Sequence, residues 1–201
     1  MTPPPLVGLT GPIGAGKDSV GAQLQSRHGY TRVALADPIR EALELLNPMM
    51  IHPDTGRLTN LDALLDRLGW ADVKRRVPEA RRMLQVLGTE VGREILGPDC
   101  WAVIMARRVA ELRAAGHPVV VTDVRFWNEV NAIRDAGGII VTLKGPYGPP
   151  NAHASENQLD GLVPDRVVWN ARKSDALDRY RQLATIADLV HGDAEAVTRG
   201  A

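Results

Sequence analysis

Gly11 to Ser19, Gly-Pro-Ile-Gly-Ala-Gly-Lys-Asp-Ser, is the stretch of this sequence best equipped for chemistry. Gly11, four residues, then Gly16-Lys17 keeps the spacing of the Walker phosphate-binding pattern. Gly11, Gly14 and Gly16, with the small Ala15, form a backbone that can turn successive N–H groups onto one phosphate. Lys17 adds a charge that reaches terminal phosphates. The plainer reading, a glycine-rich strand-to-helix connection, explains neither the spacing nor the lysine. Where the pattern asks for a Ser or Thr to ligate magnesium, the chain has Asp18, with Ser19 one place late. A carboxylate beside phosphates is tolerable if it faces a metal ion or its water shell, and magnesium (Mg2+) takes oxygen ligands while keeping several waters. Asp18 equally suits a helix N-terminus, which would leave Ser19 or solvent to the metal. Both readings stay open.

A second candidate is "VVVTD", an apolar run ending in Asp123. Beside a phosphate loop such an Asp orients magnesium or its waters; alone, it is a common turn signal. Arg125, Asn128 and Glu129 follow, and Arg125 is expected to point into a ligand crevice. The third candidate is a stripe in "RRMLQVLGTEVGREIL". Met83, Leu84, Leu87, Val91 and Ile95 share one side at helical spacing, and Arg82, Gln85, Thr89 and Arg93 share the other. A solvated face is the plain explanation. Against it, the stripe lacks the acid–base mixture of an exposed face, and Gly88 and Gly92 sit beside it. Each helix glycine costs about 1 kcal/mol against alanine, so a close approach to something is expected there. Phosphate and base both need donors of this kind. Arg40, in the first turn after Asp37-Pro38, could reach a phosphate, or could pair with Glu44 four residues on. "HASE", His153 to Glu156, suits a closing lid or a helix capped by Ser155. Trp70, Trp101, Trp127 and Trp169 are packing residues first, with Trp101 and Trp127 as candidates to flank a base. Cys100 reads as buried and inert.

Strands are expected at Leu6–Thr10, Tyr30–Ala36, Val119–Asp123, 139–144 and Asp165–Asn170. Helices are expected at Asp18–Arg27, from Asp37 to Asn47, Glu79–Leu96, Asp99–Ala115, Phe126–Ala136 and from about Ser174 to Val190, with a frayed tail after His191. Residues 48–78 read as an inserted excursion holding a loop and one short helix, "LDALLDRLGW". The alternation argues for a parallel sheet covered by helices on both faces, in which ligands sit beyond the carboxyl ends of the strands.

A chain of 201 residues suits one domain, and 44% hydrophobic content supplies its core. The 24 basic and 24 acidic side chains cancel, which gives no nucleic-acid or membrane surface. Only four of the basic residues are lysines, so a single arginine carries less functional weight than its position does. One cysteine, no signal segment and no apolar stretch of spanning length lead to the expectation of a soluble cytoplasmic protein.

Taken in order, "GPIGAGKDS", "LADPIREAL", "RRMLQVLGTEVGRE", "VVVTDVRFWNE" and "HASE" resemble the phage-type deoxynucleoside monophosphate kinases, over about three-quarters of the chain. In that group a GKD loop followed by Ser or Thr is typical. Dephospho-coenzyme A kinase has a similar opening but normally keeps Ser after the Lys. Trp127 stands where the group more often has a small residue or proline, and residues 48–78 match poorly. The resemblance implies a three-layer α/β P-loop NTPase fold in a single domain, 1–201, with a substrate-binding insertion at 48–78 and a lid-like segment at 145–160. It implies transfer of the ATP γ-phosphoryl group to a deoxynucleoside monophosphate. On it, Gly11, Gly14, Ala15, Gly16 and Lys17 hold ATP, and Asp18, Ser19 and Asp123 manage Mg2+. Arg40, Arg82, Arg93 and Arg125 bind the acceptor phosphate or stabilise the charge in transfer, with Lys17, Arg93 and Arg125 catalytic. Gln85 and Thr89 contact the acceptor nucleoside, with Asp37, Trp101, Asn128 and Glu129 also in the substrate site. The partners implied are small-molecule nucleotides, with a homodimer open. The rival readings are a kinase of another small acceptor, such as dephospho-coenzyme A, and a P-loop regulatory ATPase without an acceptor. Against the second, the chain has no Asn-Lys-x-Asp guanine-reading motif.

Overall fold

A computed structural model describes residues 2–145, 159–171 and 175–200. Five short parallel strands form one sheet in the order β2-β5-β1-β6-β7: β1 is Leu6–Thr10, β2 Thr31–Val33, β5 Val119–Val121, β6 Ile139–Lys144 and β7 Arg166–Trp169. β1 lies at the centre, and all five of its residues are buried, as a strand covered on both faces requires.

Alternation along β1 sends Val7 and Leu9 to one face and Leu6 and Gly8 to the other. On the first face, Val20 and Leu24 of α1 (Lys17–His28) and Ile186, Ala187 and Val190 of α7 (Ala176–Gly200) share a core with Val7, Leu9, Val120, Val141 and Leu143. On the second, a side chain on Gly8 would meet Ile133 of α6 (Trp127–Asp135) and Val124, so this glycine lets α6 approach the sheet closely. The layers are therefore helix, sheet, helix, as the sequence predicts.

Three expectations are corrected. β2 stops at Val33, because beyond it the chain is held by a side chain: Leu35 N–H donates to Asp123 Oδ1 at 2.9 Å. The tail is not frayed. α7 continues to Gly200, with Ala194 still in the core at helical spacing from Ala187 and Val190. Residues 48–60 are more than a loop. Met49–Ile51 (β3) and Leu58–Asn60 (β4) pair antiparallel around a turn at His52–Arg57.

The chain divides into two compact units, Met1–Leu35 with Ala102–Ala201, and Ala36–Trp101. The second contains α2 (Asp37–Leu46), the β3–β4 hairpin, α3 (Leu61–Arg76, broken at Gly69 by a φ of 70°), α4 (Pro78–Val86) and a π-helix, Leu87–Leu96. α5 (Cys100–Ala114) starts in this unit and runs on in the other. The second unit has its own core of Leu43, Met50, Leu61, Leu64, Val73, Val77 and Ala80. The 48–78 segment lies within it. Among the described residues no helix is long and apolar enough to cross a membrane.

Candidate active site

The phosphate loop joins β1 to α1. Gly11, Gly14 and Gly16 have φ values of 131°, 82° and 93°, conformations that side-chain-bearing residues rarely adopt. Gly11 is needed for space as well, since a Cβ there would run into the Leu143 carbonyl of β6. Lys17 folds back over the loop, its ammonium donating to Gly11 O at 2.6 Å and Pro12 O at 3.0 Å. The loop is thus wound around a positive charge at a helix N-terminus, an arrangement suited to an anion.

Beyond the carboxyl ends of β1, β5 and β6 lies a cavity of about 470 Å³. Lys17, Arg125 and Lys144 line it, with Asp160 the one acid among the described residues, so the balance of charge that these residues bring is positive. Lys17 and Arg125 are candidates from the sequence, and Lys144 joins them in the structure. Its signal was available, because it ends a predicted strand at the edge where ligands gather.

Arg125 owes its place to Glu129. That carboxylate is 1% exposed, and its Oε2 accepts from the N–H groups of Arg125 (2.7 Å) and Phe126 (3.0 Å). Glu129 therefore shapes the turn between β5 and α6 and does not reach the cavity. Asn128 Oδ1 accepts from Glu129 N at 3.0 Å in the same turn.

The expected metal ligands divide. Asp123 stands two residues beyond β5, which ends at Val121 short of the expected strand, and one of its oxygens accepts from Leu35 N–H. Asp18 lies at the start of α1 with its side chain 86% exposed, 3.9 Å from Arg32, and Ser19 is exposed beside it. Among the described residues no three His, Cys, Asp or Glu side chains converge on a metal position. Few hard oxygen donors, Asp18 and Ser19 exposed and Asp123 half-buried, fit an ion such as magnesium that keeps most of its waters.

The expected residues between Asp37 and Trp101 belong to the second unit. Arg40 Nη1 donates to Asp37 Oδ1 at 3.3 Å, and its guanidinium lies 5.9 Å over the Trp70 ring. The expected alternative, a pair with Glu44, does not form, because Glu44 Oε1 accepts from Trp70 Nε1 at 2.5 Å. Arg82, Gln85 and Thr89 are exposed along α4 and the π-helix, and Arg93, half-buried, donates to Pro98 O at 3.3 Å. Ile95, expected on the apolar side, is 75% exposed. The wider winding that begins at Leu87 takes it off the α-helical repeat. The close approach foreseen beside these glycines is found at Gly92, where it is internal, while a Cβ on Gly88 would meet only the end of Ile39 at 3.2 Å. A Cβ on Gly92 would lie 2.5 Å from Trp101 Cζ2, while the Trp101 indole N–H donates to Gly88 O at 2.8 Å. Trp101 is 8% exposed, its indole turned inward. Trp127 is exposed, Cys100 half-buried. His153, Glu156 and most of 145–160 lie outside the described residues.

Asn170 was not anticipated. It is 5% exposed at the end of β7, and its Nδ2 donates to Ala15 O at 2.8 Å across 155 residues of sequence.

The sequence model of the family described as deoxynucleotide monophosphate kinase matches residues 74–180, a little over half the chain. A putative deoxynucleotide monophosphate kinase of Acanthamoeba polyphaga mimivirus is 28% identical over 193 residues, covering 91% of this chain and 96% of that one. The deoxynucleoside-5'-monophosphate kinase of Escherichia phage T5 is 38% identical over 55 residues, 27% of this chain and 21% of that protein. Among solved structures, the Mycobacterium tuberculosis APS kinase CysC in complex with AMPPNP and APS has 14% identity and a TM-score of 0.47, over 94% of this chain and 99% of that one. So distant a likeness bears on no substrate.

Proposed function

This chain belongs to the deoxynucleotide monophosphate kinase family, and on that premise we propose that it carries the γ-phosphoryl group of ATP to a deoxynucleoside monophosphate. An oxygen of the acceptor phosphate attacks the γ-phosphorus, the bond to the β–γ bridging oxygen breaks, and ADP and a deoxynucleoside diphosphate leave. Such a transfer asks the protein for position and charge, with little covalent chemistry. The observation that carries the reading is the cationic cavity beside the loop, where Lys17, Arg125 and Lys144 meet.

In this reading the loop amides from Gly11 to Gly16 and the Lys17 ammonium hold the ATP phosphates. Arg125, braced by Glu129, balances charge on the group in transfer. Asp123 and either Asp18 or Ser19 would hold magnesium through oxygen or water, and the ion would neutralise phosphate charge. The second unit supplies the acceptor site. Arg40, Arg82 and Arg93 bind the acceptor phosphate, Gln85 and Thr89 its nucleoside, and Asp37 orients Arg40. Trp101 serves by holding the π-helix in shape. π-helical turns are rare and are frequent at functional sites, which supports a binding role for the exposed stripe.

Steady-state kinetics of variants test this division. Lys17→Ala should lower turnover about 10²–10³-fold, the usual loss for a preorganised charge donor, in a protein that still folds. Arg82→Ala and Arg93→Ala should raise KM for the deoxynucleotide and leave KM for ATP in place. Near-normal turnover in Lys17→Ala, or an unmoved deoxynucleotide KM in both arginine variants, contradicts the assignment.

A further inference from the structure

We infer that Asn170 is a positioning residue for nucleotide binding, which fixes the direction of the Ala15–Gly16 peptide of the phosphate loop. The inference rests on the reading of that loop as the ATP site. Asn170 follows β7, far from the loop in sequence, and is held from both sides. Its own N–H donates to Lys144 O at 2.6 Å, which ties it to the end of β6. The next residue, Ala171, is gripped by α7. With its amide oriented to satisfy both groups, Gln182 accepts from Ala171 N at 2.7 Å and donates to Ala171 O at 2.8 Å. From this fixed base the Asn170 side chain reaches the loop and donates to Ala15 O at 2.8 Å, in a buried setting.

The peptide it holds is one that would otherwise turn easily. Gly16 sits at φ 93° and has no side chain to resist rotation of the peptide before it. In a trans peptide the C=O and N–H point in opposite directions. Fastening Ala15 O to Asn170 therefore turns the Gly16 N–H toward the opposite side of the loop, away from β7. An anion site needs loop amides that point the same way before the ligand arrives. A flipped peptide would offer phosphate a carbonyl oxygen instead. Packing gives a second sign that the contact is built in. A Cβ on Gly16 would overlap Asn170 Nδ2, so the glycine of the Gly-Lys pair serves the clamp as well as the backbone conformation.

The test compares wild type with Asn170→Ala and Asn170→Asp, reading KM for ATP, KM for the deoxynucleotide, and thermal midpoint. Loss of one hydrogen bond lets the peptide populate both directions, so Asn170→Ala should weaken ATP about three- to tenfold and leave the deoxynucleotide KM unchanged. Asn170→Asp keeps the shape but sets a carboxylate against Ala15 O. It should weaken ATP more at neutral pH and recover, relative to wild type, as the pH is lowered and the acid becomes a donor. A merely structural role moves the thermal midpoint and gives no pH-dependent recovery. Should Asn170→Ala not fold, the pH profile of the isosteric Asn170→Asp decides. An ATP KM equal to wild type in the folded variants overturns the inference, and so does an equal rise in both KM values. If wild type itself shows no ATP-dependent transfer, the kinase reading fails instead, and the two failures are distinguished by that control.

Discussion

Replacing glycine by alanine within a helix ordinarily stabilises it, by about 1 kcal/mol. At Gly92 the opposite sign is expected. The new methyl would lie 2.5 Å from Trp101 Cζ2 and 2.6 Å from Cε2, where ordinary contact is 3.4–4 Å. Those atoms belong to a rigid bicyclic ring, which cannot yield by turning one chain end. The indole must shift as a body, and its 2.8 Å hydrogen bond to Gly88 O shifts with it. Overpacking of this kind costs about 1–3 kcal/mol, and the hydrogen bond adds about 1 kcal/mol. Set against the helix-propensity gain, the net is a loss of about 1–3 kcal/mol. Gly88 is the internal control. Its Cβ would meet only Ile39 Cδ1 at 3.2 Å, the far end of a flexible side chain, so Gly88→Ala should be neutral or slightly stabilising. Urea unfolding of both variants, with the m-value checked for constancy, measures the difference. A Gly92→Ala protein as stable as wild type, or a Gly88→Ala protein the more damaged of the two, would refute the reasoning.

The Glu129 brace and the packing of α1 on α7 give two further expectations. Glu129→Ala removes the acceptor from two N–H groups and should cost about 2–4 kcal/mol, with lower turnover because the Arg125 turn loosens. Glu129→Gln keeps an acceptor and should lose less than half as much; equal losses in denaturation and rate assays would deny the brace. At the far end of α1, His191 stacks on His28 with centroids 4.1 Å apart, near Tyr30, Glu195, Asp188 and Arg199. Burial and then the neighbouring His28 hold the His191 pKa below its usual 6.5. The unfolded chain therefore takes up this proton first. Stability should fall as pH drops below about 6.5 and level off below the folded value. Asp188 is held low chiefly by its hydrogen bonds from Arg27 and His28, so its stabilising contribution is lost only below about 3.8, outside that window. Thermal midpoints between pH 7 and 5 should slope in wild type and flatten in His191→Gln; an unchanged slope would assign the effect elsewhere.

The phosphate loop, the central strand and the end of β5 were legible because each is local. Glycine spacing, an apolar run and a terminal Asp lie within a few residues of one another. The hairpin at 49–60 was missed although its turn spells Pro-Asp-Thr-Gly, a readable signal. Its strands of three residues are too short for alternation to show. The π-helix leaves no mark in the sequence, because Leu87–Leu96 also fits the α-helical repeat, on which Ile95 falls on the apolar side. Gly92 does mark a close approach, but a sequence does not say to what, and the neighbour is Trp101; Gly88 has only the end of Ile39 near it. Asn170 and Glu129 show the same limit. Their roles depend on which backbone groups the fold brings to them, across 155 residues in one case and around a tight turn in the other.

The central claim is tested most directly by ADP release in a coupled assay, run with MgATP alone and with each deoxynucleoside monophosphate in turn. ADP should form only when an acceptor is present, in step with the deoxynucleoside diphosphate produced. ADP release at the same rate without any acceptor would contradict the account.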